Sequence, residues 1–99
     1  MTEVGYQSGL EYCNSSEAKQ AEFYHHLFTA WDTYKDNIKF VLVDWLHDQS
    51  LALIEEWKDY YGTDPALVEY LSTLGVCNND GTDKYAFQQI KEELKARNW

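Results

Sequence analysis

The hydrophobic pattern centres on Ile38 to Asp48, IKFVLVDWLHD, which opens in alternation, passes through a continuous apolar core and closes on Trp45, His47 and Asp48. A short β-branched and aromatic run ending in polar groups predicts a strand buried on both faces. Thr2-Glu3-Val4-Gly5-Tyr6 is a shorter β-prone segment, where Gly5 allows another backbone to come close. Between them, after a loop over 7–14, apolar residues recur in steps of three and four at Ala21, Tyr24, Leu27, Phe28, Trp31, Tyr34 and Ile38. That spacing predicts a helix over about 16–36, capped by Ser15 or Ser16, with Glu17 and Glu22 near its positive end.

Beyond the long strand, Asp48 or Ser50 is placed to cap a helix carrying Leu51, Leu53, Ile54, Trp57, Tyr60 and Tyr61, which Gly62 stops. Asp64-Pro65 opens a short helix with Leu67, Val68, Leu71 and Leu74 on one side and Gly75 at its end. Asn79-Asp80-Gly81 is a tight-turn signal. A last helix over about 83–97 places Phe87, Ile90 and Leu94 on one face and Lys95 and Arg97 in its final turn. The expected fold is therefore α/β and mostly helical, in the order strand, helix, strand, helix, helix, helix. Two strands joined through a helix pair in parallel with a right-handed crossover. A two-stranded parallel sheet leaves faces and edges to be covered, so self-association is expected.

At 99 residues the chain has room for one domain, 1–99. A net charge of −9 argues against nucleic acid and anionic membrane surfaces as partners, both of which need clustered Lys and Arg. Cys13 and Cys77 match no metal spacing and are either two thiols or one disulfide. The chain shows no signal peptide and no apolar run long enough to span a bilayer, so a cytoplasmic location is the default expectation. Four Trp and eight Tyr supply large amphipathic surfaces for a core, an interface or a sugar cleft. Trp31, Trp57, Tyr60 and Tyr61, at helical spacing, are read as core or interface.

TEVGY, SSEAKQAEFYHHLFTAWD, IKFVLVDWLHD and LGVCNNDGTDKYAFQQIKEEL together resemble the C-terminal quarter of retaining glycoside hydrolases built on the (β/α)8 barrel, in the branch that contains arabinogalactan endo-galactanases. The resemblance implies that the chain is the last two βα units of such a barrel, which as a whole needs roughly 250 residues. It implies Glu3 as the nucleophile at the end of the seventh strand, with Tyr6 beside it. It implies Trp45 as a sugar-subsite aromatic, His47 and Asp48 at the catalytic rim, β-linked oligosaccharide as ligand, and no cofactor. Tyr85 stands where the family more often has Pro. The Asn-Glu pair that supplies the family's acid/base occurs nowhere in this sequence. Retaining hydrolysis needs two carboxyl groups about 5–5.5 Å apart. The expectation is thus a stand-alone remnant or fragment, without hydrolase activity as one chain, that self-associates. A closed dimer is the commoner solution, and four copies closing an eight-stranded ring is the other.

Plainer roles stand beside these. Taken for this chain alone, Glu3 is expected to be a solvated carboxylate on a short terminal strand. Trp45 and His47 share one strand face and Asp48 takes the other. Asp48 would either orient His47 as a general base or cap the helix that follows, and capping is the expectation. Asp44 interrupts an apolar run and needs a partner wherever it is buried. His25 and His26 point about 100° apart on a helix and do not chelate together, so no metal site is expected. The alternative function is a small acidic protein-interaction module, an adaptor or inhibitor, that keeps the fold without the site.

Overall fold

Among the described residues six elements are present: β1 (Glu3–Val4), α1 (Glu17–Thr33), β2 (Leu42–Val43), α2 (Leu51–Tyr61), α3 (Pro65–Ser72) and α4 (Tyr85–Ala96). They come from a computed structural model that describes residues 3–38 and 41–99, with Glu3 and Tyr61 described in their backbone alone. Thr2 of the first expected strand and residues 39 and 40 of the second lie outside the described residues. The element order and the mostly helical character agree with the sequence pattern. β1 and β2 pair in parallel, Glu3 opposite Leu42 and Val4 opposite Val43. A ladder of two pairs is too short to display the curvature of a barrel wall.

Start signals act as the sequence suggests. Ser16 caps α1 by accepting from the Lys19 N–H, Ser50 caps α2 from Leu53, and Asp64 caps α3 from Ala66 with Pro65 in the first turn. Gly62 follows α2 at φ 86°, a conformation that costs other residues a Cβ clash. The α4 start is different. Lys84 occupies the N-cap without a side-chain cap, and Glu17 at the start of α1 accepts from the Tyr85 N–H at 3.1 Å instead.

The strand expected over Ile38–Asp48 is corrected: among the described residues only Leu42 and Val43 join the ladder, and Leu42 is 51% exposed rather than buried on both faces. The reason is the backbone bonding. After the Asp44 N–H donates to the Val4 carbonyl, the chain leaves β1. Residues 45–48 then bond to 76–77: Val76 N–H to Trp45 O, Cys77 N–H to Leu46 O, and Asp48 N–H to Cys77 O. Leu74 to Cys77, expected as a helix end and turn, is thereby a buried rung. On its other side, Lys84 N–H donates to Val76 O.

Gly75 does not end a helix. α3 stops at Ser72, and the Thr73 N–H closes it onto Glu69 O. Gly75 is needed because its Cα lies against the 47–48 backbone, where a Cβ would strike Asp48 N and the His47 carbonyl carbon. Gly5 serves as expected, since a Cβ there would come within 3.0 Å of the Asp44 carbonyl oxygen. The core gathers Tyr24 and Leu27 of α1, Val76 and Cys77 of the rung, and Ala86 of α4. Val4, Val43, Phe23, Phe87 and Ile90 pack around it. Tyr34, expected on the inner face of α1, is exposed because α1 has already ended at Thr33.

Candidate functional site

Chain leaving β2 runs directly into a shallow open cleft of about 630 Å³. Trp45, Leu46, His47, Asp48 and Gln49 form one wall and Asn79, Asp80 and Gly81 the other. The turn is shaped as its residues dictate. Gly81 at φ 90° closes it, and Gly81 N–H and Thr82 N–H donate to Asn78 O and Asp80 Oδ1. Asn79 Nδ2 donates to the Asp48 carbonyl at 3.0 Å and joins the walls. Hydrogen bonds from the Thr82 hydroxyl and N–H hold the Asp80 carboxyl below its ordinary range, so it stands as a carboxylate.

Three of the five expected site residues meet here: Trp45, His47 and Asp48. Trp45 is half-buried with its ring 5.4 Å from Trp57 of α2, while His47 is exposed. Tyr6 does not join them. It stacks on Phe23 of α1 at 4.9 Å and lines a separate hollow with Lys19, Glu22 and His26. The Glu3 carboxylate, expected as nucleophile, lies outside the described residues; its backbone sits opposite Leu42 at the head of the ladder.

Asp48 corrects two expectations. It does not cap α2, because Ser50 does. Its Oδ1 accepts from Lys84 Nζ at 2.8 Å and from the Gly75 N–H at 3.0 Å. No hydrogen bond between Asp48 and His47 is present among the described residues. Burial raises the Asp48 carboxyl above its ordinary value, even against the Lys84 ammonium and the Gly75 N–H.

Elsewhere, His25 Nδ1 contacts Glu93 at 2.9 Å and His26 Nε2 contacts Glu22 at 3.4 Å, so the two histidines serve different partners. Among the described residues no three His, Cys, Asp or Glu side chains gather around a metal position. Cys13 and Cys77 are free thiols, the second buried. Among the described residues no helix is long and apolar enough to cross a membrane.

Sequence reasoning missed the residues that build the cleft from behind: Ser8, Thr73, Gly75 and Lys84. One signal was available. A lysine at the start of a helix opposes the dipole and implies that the ammonium is held by something else. Glu69 was missed as well. Its carboxylate accepts from the N–H groups of Glu11, Tyr12 and Cys13 and pins the loop between β1 and α1.

The cleft thus brings an aromatic ring and an imidazole on one wall opposite an amide and a carboxylate on the other. In comparisons with known proteins, the chain matches no family model, no curated protein and no solved structure.

Proposed function

We propose that this chain is the closing part of a (β/α)8-barrel glycoside hydrolase, a stand-alone remnant or fragment whose cleft contacts β-linked oligosaccharide without hydrolysing it. The observation that carries this is the parallel β1–β2 ladder joined through α1, from whose C-terminal end β2 delivers Trp45 and His47 into an open cleft. In parallel α/β architectures the carboxyl ends of strands are where ligands bind. Loss of hydrolysis is supported by what the nearby carboxyls are doing. Asp48 is committed to Lys84 and Gly75, and Asp80, held ionised by Thr82, is a poor proton donor. Neither is suited to complete a nucleophile and acid pair with Glu3.

The same reading includes association of copies through the outer edge of β2, where Leu42 is half exposed. A closed dimer is the simplest outcome. Titration of the ¹⁵N-labelled protein with β-1,4-linked galactotetraose tests the sugar reading. Shifts confined to Trp45, His47 and the Asn79–Gly81 turn, lost in Trp45→Ala, are expected; no shift at millimolar sugar rejects it. Release of nitrophenol from activated galactosides that disappears in Glu3→Gln would show that hydrolysis survives. Light scattering after size exclusion reports the association state.

A second reading, a small acidic interaction module, draws on Leu46 and Leu51 beside the cleft, the latter 82% exposed, in a chain of net charge −9. A basic protein partner drawn there by the acidic charge would be weakened by high salt.

A further inference from the structure

Lys84 is 2% exposed, the most buried charged side chain among the described residues. It does not line the cleft and does not cap α4. A buried ammonium has to be matched by acceptors or it is strongly unfavourable. Here its donors meet three segments: Asp48 Oδ1 at 2.8 Å, Ser8 Oγ at 3.1 Å and the Thr73 carbonyl at 3.3 Å. Asp48 is thereby held at its side chain by Lys84 and Gly75 and along its backbone by Cys77 and Asn79. The residues just before it, Trp45 and Leu46, are bonded through their carbonyls to Val76 and Cys77. Among the described residues the backbone hydrogen bonds of 45–48 run to the 76–77 rung beside Lys84 or to Asn79, while the Trp45 ring also rests on Trp57.

The geometry points to Lys84 as the positioning residue of the cleft, acting through Asp48 to set Trp45 and His47 against the Asn79–Gly81 turn without touching the ligand. This inference builds on the reading of the cleft as an oligosaccharide site. It differs from simple core stabilisation in one consequence: the place of Trp45 depends on the ion pair itself and not on overall stability.

The test compares Lys84→Met, the double variant Asp48→Asn with Lys84→Met, and Ile90→Ala, which loosens the core on the α4 side at a residue that does not line the cleft. The Trp45 indole N–H resonance, assigned through Trp45→Phe, reports position, and galactotetraose titration reports binding. Lys84→Met is expected to move the Trp45 indole and weaken binding at least tenfold, whereas Ile90→Ala, though destabilised, changes affinity less than twofold. The double variant, free of an unpaired buried charge, is expected to recover stability while the Trp45 shift and weak binding persist. If Lys84→Met does not fold, the double variant decides. Recovery of both the Trp45 resonance and the affinity in the double variant overturns the inference. A wild-type protein that binds no galactotetraose rejects the sugar reading alone, because the Trp45 resonance still decides the positioning role.

Discussion

Replacing Lys84 by Met removes the ammonium and keeps most of the stem volume. It leaves the Asp48 carboxylate, largely buried, with the Gly75 N–H as its remaining hydrogen-bond donor among the described residues. Breaking a buried pair from one side costs about 3–5 kcal/mol, because the survivor is an uncompensated charge. Asp48 keeps one donor and some solvent contact, so we expect about 3 kcal/mol at neutral pH. Lowering the pH should shrink that loss. Burial already places the Asp48 carboxyl above its ordinary 3.8 in the wild type, with Lys84 pulling it down. A carboxyl raised on folding favours the folded state below the unfolded value, and that benefit is lost as pH climbs through the folded value. Without Lys84 the folded value rises further, and the variant takes up a proton on folding over a wider range than the wild type does. Each pH unit across which the two proteins differ by one proton changes the gap by about 1.4 kcal/mol. Urea unfolding followed by tryptophan fluorescence, from pH 4.5 to 7.5, measures the difference, in which unrelated titrations cancel. The gap should be largest at pH 7.5 and fall by at least half at pH 4.5. A gap that does not change with pH, or one below about 1 kcal/mol throughout, would refute the assignment of Lys84 and Asp48 as a charged buried pair.

Gly75→Ala places a methyl group onto the backbone of His47 and Asp48, 2.7 Å from the His47 carbonyl oxygen, where no side chain can move aside. A loss of about 3 kcal/mol or more in urea denaturation is expected, and near-neutral stability would contradict the described approach. Burial raises the Glu93 carboxyl, but His25 and Arg97 outweigh it and hold it below its ordinary 4.5. Its contribution is therefore present above that value and lost as pH falls through the folded one, so Glu93→Gln should flatten the acid side of the thermal-stability profile. Glu69→Ala removes the acceptor of three consecutive backbone N–H groups. It should cost about 1–2 kcal/mol and speed proteolytic cleavage near Glu11–Cys13, and an unchanged cleavage rate would count against the clamp.

The parts legible in the sequence were those decided by neighbours along the chain. Ser16, Ser50 and Asp64 announce helix starts because their short polar side chains reach the first free N–H groups wherever they occur. The three- and four-residue spacing of Tyr24, Leu27 and Phe28 marks the buried side of α1 because helical geometry alone brings those positions together. Asn79-Asp80-Gly81 makes its turn from local bonding and a left-handed glycine. Trp45 and His47 came to one cleft because they lie two residues apart. Tyr6 did not join them, because nothing local told that its ring would find Phe23 instead. The tertiary structure alone decided what Asp48, Gly75 and Lys84 do, since their partners are 27 and 36 positions apart. A glycine after a helix and an aspartate before one each have a plausible local role, whereas a lysine at a helix start has none. Those roles were displaced because folding brings the three to one dry point, where a buried charge has to be matched and a Cβ has no room.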